Sequence, residues 1–354
     1  MLYHGIDLHK HSVVIGTVDD DGELLAQKRL PTRRADILHY FASRPGPHRA
    51  VVEATSGWYW LAELFGENGI ELKLAHAKAL KAITYAKVKT DAVDATTLAQ
   101  LLRADLIPVA HMLDPKLRPY RDLLRQRLGL VYQRSTCKCS IQTILEKYNQ
   151  PSVAKLPPLP ALQASLHQER IELLSRQVKE LEKIFQQVLL PQAPVQRLLY
   201  IPGFGRLSAF TVFLETGDPT RFTSDRHYVS YCRLVPGSKN SAGRSKQRPS
   251  KDGNRYLKNA YRNAAVRAVQ YEPTVKAWYL KLLRKKNKPI AQTLVAKELA
   301  RIAFRLLHDR VDYNGTFKGL PIEKPKPPRW PRRASPDPQQ VRRDLVPLRH
   351  YRSC

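Results

Sequence analysis

The order of apolar segments in residues 1–103 restricts the fold of this chain more than any other feature. Apolar alternation and short apolar runs predict strands, and helical periodicity predicts the helices that follow them. The predicted strands are 3–8, 12–18, one beginning at 23, 50–53 and 71–75, and the predicted helices are 34–42, one beginning near 58, and 89–108. The order βββαβαβα is the layout of an α/β domain of the RNase H-like nuclease class.

Four acids stand at key places in this order, although they are far apart along the chain. Asp7 lies in the first strand, Glu53 ends the fourth, and Asp91 and Asp94 share one face of the last helix. The topology sets the two strands side by side and lays the helix across their ends, which gathers the four carboxylates. Such a cluster repels itself unless divalent cations such as Mg²⁺ neutralise it, so it predicts phosphoryl-transfer chemistry. The alternative is that Asp91 is an ordinary N-terminal helix acid after Thr90 and that Asp94 is merely solvated.

The overall charge points to nucleic acid as the partner. The chain has 60 Lys and Arg against 31 Asp and Glu, a net charge of +29. A positive field of this size usually binds DNA or RNA. We find no apolar run of the roughly 18 residues typical of a spanning helix and no start that resembles a secretory signal. We therefore expect a cytoplasmic protein without a membrane partner.

The middle of the chain, residues 114–195, is predicted to be helical. Its second helix carries an apolar seam with alternating spacings of three and four, the a/d pattern of a coiled coil. The seam residues are Ile171, Leu174, Val178, Leu181, Phe185 and Val188. The seam fits either a dimer or a pairing with the apolar helix predicted at 116–148, and the sequence leaves both open.

A Gly-Phe-Gly turn opens the last third of the chain. Gly203 and Gly205 lie between two apolar helical segments, which resembles a helix-hairpin-helix element. Backbone N–H groups at the start of the second helix could hold a DNA phosphate. An ordinary interhelical turn is the alternative.

A loop at 237–255 concentrates positive charge against the single acid Asp252. We expect it to face phosphates, and its basic residues are Lys239, Arg244, Lys246, Arg248, Lys251 and Arg255. The helical stripe that follows would mount the loop on a packed helix.

Three short motifs resemble those of one known family. GIDLHK at 5–10, VVEATSGWYW at 51–60 and KTDAVDA at 89–95 look like the acidic motifs of transposases of the IS110 (insertion sequence one-ten) family, which are bridge-RNA-guided recombinases with a RuvC-like domain. The resemblance implies a DEDD metal site, here Asp7, Glu53, Asp91 and Asp94. It continues in the second half, where Val-Pro at 235–236 is followed by a serine motif and by Gly-Asn at 253–254.

The resemblance also implies a catalytic serine five residues after Pro236, which is Ser241. This chain reads Asn-Ser-Ala-Gly at 240–243 where the family usually has Ser-Ser-Gly, so Ser238 and Ser245 remain competing candidates. In the family, the serine and the acids form one composite site shared between protomers.

We therefore predict four regions and one activity. The regions are a RuvC-like domain at 1–113, a helical coiled-coil segment at 114–195, a mostly α-helical transposase domain with the serine loop at 196–318, and a disordered basic tail at 319–354. The activity is Mg²⁺-dependent cutting and rejoining of DNA by a transposase or recombinase. The alternatives are a Holliday-junction-resolvase-like nuclease that uses the carboxylates alone, and a nucleic-acid-binding protein without activity.

The predicted partners follow from the resemblance. They are donor and target DNA, a non-coding bridge RNA, and further copies of the chain in a dimer or a tetramer on DNA. The cell would be prokaryotic and the protein associated with its nucleoid.

Overall fold

The computed structural model describes residues 1–55, 57–83, 90–241, 244–249 and 252–322; within 238–241 and 244–249 it describes the backbone alone. The chain divides into two compact units, one from Met1 to Pro115 and a second from Lys116 onward. Each unit has a hydrophobic core of its own.

The first unit, within its described residues, is a five-stranded sheet with helices on its two faces. Its elements are β1 (Leu2–Leu8), β2 (Ser12–Val18), β3 (Leu24–Pro31), α1 (Arg34–Ala42), β4 (His48–Glu53), α2 (Trp58–Glu67), β5 (Glu71–Ala75), α3 (Ala77–Ile83) and α4 (Asp91–Arg103). The strand order is β3-β2-β1-β4-β5, antiparallel from β3 to β1 and parallel from β1 to β5. This mixed sheet confirms the predicted RNase H-like fold class.

The side chains of each strand point alternately to the two faces of the sheet, so the two faces bury different residues. Ile6 and Val52 are buried in the core that includes residues of α1 and α2. Val51 is buried in a separate cluster with Leu98 and Leu102 of α4. Because successive strand residues point to opposite faces, Gly5 and Asp7 of β1 and Glu53 of β4 lie on the α4 side.

The second unit begins with two long antiparallel helices, α5 (Arg118–Lys147) and α6 (Pro158–Val188). Leu174, Val178 and Phe185 of the predicted seam are buried, and Arg127 of α5 pairs with Glu182 of α6. The seam therefore joins two helices of one chain, which is the intramolecular alternative. A different stripe of α6 is exposed, and its residues are Leu159, Leu162, Leu166 and Leu173.

The rest of the second unit is mostly helical. Its elements are α7 (Ala193–Leu198), α8 (Arg206–Thr216), α9 (Asp225–Tyr231), β6 (Pro236–Ser241), β7 (Arg244–Pro249), α10 (Arg255–Tyr271), α11 (Pro273–Leu283), α12 (Lys288–His308), β8 (Thr316–Phe317) and β9 (Leu320–Pro321). The apolar stripe of α10 is buried, and the Tyr261 hydroxyl lies 2.7 Å from that of buried Tyr228. These helices confirm a helical C-terminal region.

The folded chain extends slightly into the segment predicted to be a tail. The Ile322 N–H donates to the Gly315 carbonyl and the Ile322 side chain is buried. The remaining tail, residues 323–354, lies outside the described residues. Among the residues that are described, no helix combines the length and apolar character needed to cross a membrane.

Candidate active site and nucleic-acid interface

A pair of glycines sets the position of α4 over the sheet. Gly5 of β1 and Gly16 of β2 are direct partners across the antiparallel ladder. A Cβ on Gly5 would lie 1.9 Å from the Ala95 carbonyl oxygen, and a Cβ on Gly16 would lie 2.9 Å from the Thr96 nitrogen. Only glycine allows α4 to rest this closely on the strands. The first turn of α4 is therefore held above the ends of β1 and β2.

The structure also brings the strand acids to this edge of the sheet. Ile6 and Val52 are the last residues that β1 and β4 pair with each other, so Asp7 and Glu53 are the next residues on adjacent parallel strands. Asp91 and Asp94 occupy the first turn of α4, which the Thr90 side chain caps by accepting a hydrogen bond from the Val93 N–H.

Asp7 and Asp91 form the centre of this arrangement, together with a histidine. His9 Nε2 lies 3.0 Å from Asp7 Oδ2 and 3.6 Å from Asp91 Oδ1. The other oxygen of Asp91, Oδ2, accepts a hydrogen bond from Arg29 Nη2 of β3 at 2.5 Å. Two strands, the residue that follows β1 and one helix thus contribute to one polar cluster.

The pKa values of the Asp7 and Asp91 carboxyl groups are shifted in opposite directions. Burial raises the pKa of Asp7, the charges of Asp91 and Asp94 raise it further, and His9 opposes them. The hydrogen bond from Arg29 lowers the pKa of Asp91. A carboxylate that is partly buried beside others of its own charge is stabilised by a bound cation.

The donor set fits a divalent metal ion. Ligand atoms of Asp7, His9 and Asp91 all lie within 4.8 Å of one another. Two carboxylates and one imidazole suit several divalent ions. Asp94 acts on Asp7 through its charge, and Glu53 is placed at the same edge by the strand register.

Sequence reasoning missed His9 and Arg29. His9 could have been noticed because it follows Asp7 by two residues within the quoted GIDLHK motif. Arg29 offers no such signal, since it is one of three consecutive polar residues, 27–29, in a mostly exposed strand.

The segment expected to be a basic loop contains a β-hairpin. β6 and β7 pair from Pro236 opposite Pro249 to Ser241 opposite Arg244. Ser241 is therefore at the far end of the ladder. Lys239 stands opposite Lys246, and the position of Arg248 is opposite Gly237. Lys251, another residue predicted to bind nucleic acid, lies outside the described residues.

The Gly-Asn signature at 253–254 connects this hairpin to α10. Gly253 has φ +99°, and a Cβ there would lie 2.3 Å from the Tyr231 carbonyl oxygen. Asn254 caps α10 by accepting hydrogen bonds from the N–H groups of Tyr256 and Leu257. These contacts fix where the chain enters α10.

A buried glutamate in an ion pair supports the same cap. Asn254 donates to Glu215 Oε2 at 2.7 Å, and Glu215 also accepts two hydrogen bonds from Arg125 of α5, each at 2.7 Å. Arg255, the first residue of α10, is exposed and stacks its guanidinium on Tyr256. The predicted phosphate contact of Arg255 stays a prediction.

The two glycines of the Gly-Phe-Gly turn have different surroundings. Gly203 has φ +76°, and a Cβ would lie 2.1 Å from the Ala264 carbonyl oxygen of α10, so packing alone requires glycine there. Gly205 precedes α8 and borders a cleft of about 630 Å³ that Arg206 and Arg267 also line. A phosphate contact at either glycine stays a prediction.

Two family models match the chain. A DEDD transposase model of the IS110 group matches residues 4–150, which include the carboxylate cluster. The model of the Transposase IS116/IS110/IS902 family matches residues 195–280, which include the hairpin and α10. The chain belongs to the IS110 family of transposases. This transposase is an enzyme of phosphoryl transfer on DNA, and its DEDD domain implies a divalent metal site.

The relatives of this transposase have matching lengths. It is 26% identical to the transposase for insertion sequence element IS1328 of Yersinia enterocolitica, over 85% of this chain and 95% of the relative. It is 24% identical to the transposase for insertion sequence element IS1111A of Coxiella burnetii, over 87% of this chain and 90% of the relative. The predicted family and enzyme class are therefore confirmed.

Proposed function

We propose that this transposase cuts and rejoins DNA through Ser241, assisted by Mg²⁺ at Asp7, Glu53, Asp91 and Asp94, and that a bridge RNA selects its DNA sites. The observation that carries the proposal is the approach of Asp7 and Asp91 at the edge of the sheet where β1 and β4 end. Two separated sequence motifs meet there within the reach of one ion.

The four acids would act as a unit on the scissile phosphate. Asp7 and Asp91 offer oxygens on facing elements, while Glu53 and Asp94 add negative charge beside them. When bound, a divalent ion supplies a Lewis acid that draws charge from the attacked phosphate and the departing oxygen. The carboxylates hold that centre in place at the edge of the sheet.

The register of the hairpin supports a phosphate-facing role. Residues two apart share a face of a strand, and directly opposed residues share it across the ladder. The positions on one face are Lys239, Ser241, Arg244, Lys246 and Arg248. Like charges directly opposite one another are unfavourable in a ladder, so a polyanion would stabilise this face.

The chemical step is a balanced exchange of phosphate esters. The Ser241 Oγ–phosphorus bond forms while the bond from phosphorus to one strand oxygen breaks, and the serine proton is balanced by the proton that the released hydroxyl gains. Rejoining reverses the step with a hydroxyl from another strand and regenerates the serine. Nearby cationic residues would lower the cost of bringing the serine oxygen to an anionic phosphate.

RNA guidance and self-association complete the proposal. The net charge of +29 suits polyanionic partners, and the resemblance to the family's motifs implies that one of them is a bridge RNA. The seam of α6 is used within the chain, so a dimer would use the exposed stripe that begins with Leu159, which is 79% exposed. Guide pairing would select the DNA sequence.

A covalent adduct is the test of the serine mechanism. Wild-type protein with its guide RNA, Mg²⁺ and cognate DNA should accumulate a protein–DNA adduct that survives denaturation, and Ser241→Ala should form none. Ser238→Ala and Ser245→Ala are matched controls that keep the charge of the hairpin and should still form the adduct. Normal cleavage by Ser241→Ala with free ends would favour the nuclease alternative, in which water is the nucleophile.

A further inference from the structure

We propose that His9 is a direct ligand of the divalent ion at the Asp7 site, and that its imidazole makes the site bind Mn²⁺ more tightly than Mg²⁺. The inference rests on the metal site of the proposed function and adds to it a nitrogen donor and a choice of metal. The four acidic positions by themselves would form a site of oxygen ligands only.

The distances from His9 to the two carboxylates are close to those between ligands of one metal ion. Two ligands that are each about 2.1 Å from one ion lie roughly 3.0–3.4 Å apart at octahedral or tetrahedral angles. His9 Nε2 is 3.0 Å from Asp7 Oδ2 and 3.6 Å from Asp91 Oδ1. The same ring nitrogen therefore faces one oxygen of each carboxylate at close to the separation that common ligands adopt.

The second oxygen of Asp91 is already engaged elsewhere. Arg29 donates to Asp91 Oδ2, which leaves Oδ1 directed toward the His9 ring. An outer hydrogen bond of this kind orients a metal-ligating carboxylate. The structure thus shows three candidate metal ligands, and it shows that Arg29 orients one of them, Asp91.

The backbone holds His9 at the end of β1. Its N–H donates to the Ser12 carbonyl at 2.9 Å, and its carbonyl accepts a hydrogen bond from the Thr32 hydroxyl at 3.0 Å. The His9 side chain is 49% exposed. An ion can therefore reach the ring from solvent while the backbone keeps the ring beside the carboxylates.

The donor type determines the choice of metal. Mg²⁺ prefers oxygen ligands and gives up its water reluctantly. First-row transition ions accept imidazole more readily, and Mn²⁺ also accepts carboxylates. A site with two carboxylates and one imidazole should therefore favour Mn²⁺ over Mg²⁺, and the preference should depend on His9.

The experiment measures metal binding by the full-length protein without nucleic acid. Titration calorimetry gives the affinities for Mn²⁺ and Mg²⁺, and pulsed electron paramagnetic resonance of bound Mn²⁺ detects a directly bonded nitrogen. The variants are His9→Ala and His9→Gln, with His11→Ala as the matched control because His11 is an exposed imidazole in the same turn. The metal binding that remains in Asp7→Asn measures binding at places other than the proposed site.

We expect the His9 variants to lose affinity for Mn²⁺ and not for Mg²⁺. Removal of an outer partner alone costs about 10–100-fold in metal affinity, so both His9 variants should bind Mn²⁺ at least about tenfold more weakly and Mg²⁺ nearly as before. Wild type and His11→Ala should show the nitrogen coupling, and the His9 variants should not.

Four outcomes would overturn the inference. An equal weakening for both ions without nitrogen coupling in wild type would make His9 a positioning residue and leave the metal site standing. A nitrogen coupling to Mn²⁺ that remains in the His9 variants would show that another residue supplies the bonded nitrogen. Binding of neither ion by wild type, or unchanged binding by Asp7→Asn, would remove the proposed metal site as well.

Discussion

In the first unit a helix rests on the backbone of Gly5, and in the second unit a helix rests on the backbone of Gly203. Each contact leaves no space for a Cβ, because the nearest carbonyl oxygen would be 1.9 Å away in one case and 2.1 Å in the other. Both helices begin next to proposed functional residues, the acids of α4 and the basic hairpin before α10. The two units therefore use the same kind of packing contact to seat a helix that begins beside proposed functional residues.

The charges at the two places differ in kind. At α4, a cation already contacts an acid, in the pair Arg29–Asp91. Along the hairpin, Lys239 stands opposite Lys246. The first arrangement is suited to hold a metal ion beside its carboxylates, and the second is suited to receive an anion. Substitutions in the two places should consequently affect different steps.

The largest expected effect is on cleavage. Asp7→Asn or Glu53→Gln should lower strand cleavage by about 10³-fold or more, since metal-ion catalysis is worth several kcal/mol. DNA binding should remain nearly intact because the basic surface is unchanged. Cleavage on labelled DNA and a filter or mobility assay measure the two properties separately. Full cleavage by either variant would contradict the metal-site assignment.

The next effect is on DNA affinity as salt changes. Neutralising roughly six or more phosphates should reduce affinity by about 10³-fold between 50 and 200 mM salt. Replacing Lys239 and Lys246 by alanine should flatten the plot of log affinity against log salt by about 0.9 for each phosphate that the variant no longer neutralises. Asp7→Asn should keep the wild-type slope. A slope that is unchanged in the lysine variant would remove the hairpin from the interface.

A smaller effect should distinguish the two glycine contacts. Gly5→Ala should destabilise the first unit by about 3 kcal/mol, because the backbone of α4 must move away from β1. Gly203→Ala should do the same to the packing of α10, with further strain from its positive φ. Segment-resolved hydrogen exchange should show weaker protection in β1 and α4 for the first variant, and in α8 and α10 for the second.

Gly129→Ala is the control for both substitutions. Gly129 lies within α5, and a Cβ there meets nothing within 4 Å. Its replacement should raise stability by about 0.5–1 kcal/mol, since alanine is the better helix residue. Equal behaviour of all three variants would show that the backbone contacts of Gly5 and Gly203 have no special role.

Much of the first unit could be predicted because its signals are local. Apolar alternation marks the strands, and the known pairing rules for βββαβαβα place Asp7 and Glu53 on adjacent strands. Arg29 could not be predicted as the partner of Asp91, because the contact depends on the register of β3 and on how closely α4 approaches the sheet. Neither can be read from the sequence of β3, which is mostly exposed.

The second unit is harder to predict for a related reason. The stretch 236–249 has no apolar alternation. Its sequence therefore indicates a basic loop of small residues, although β6 and β7 pair in the structure. The sequence suggests a phosphate-binding glycine at Gly203, whereas the packing of this residue depends on Ala264, which is far along the chain. Long-range backbone contacts of this kind leave no periodic pattern.

The smallest expected effect concerns His4, a fully buried histidine on the same strand as Asp7. Its Nδ1 lies 2.9 Å from the Thr17 hydroxyl, which is 2.7 Å from the Tyr40 hydroxyl, and its Nε2 lies 3.0 Å from His48 Nδ1. Burial, with smaller contributions from His48 and Arg44, lowers the pKa of His4 from its usual 6.5 to about 3. The folded protein therefore keeps this ring neutral.

The pH dependence follows from proton binding by the unfolded chain. Between pH 6.5 and about 3 the unfolded state holds a proton on His4 that the folded state lacks, so the free energy of unfolding falls as pH falls. From pH 7 to pH 5 the decrease should be about 2 kcal/mol. Hydrogen exchange in β1 and β4, corrected for intrinsic rates, measures it. His4→Gln should remove much of this slope while exposed His11→Gln keeps it, because the slope comes from the proton that folding excludes from the His4 ring. An unchanged slope in His4→Gln would assign the acid sensitivity to other groups.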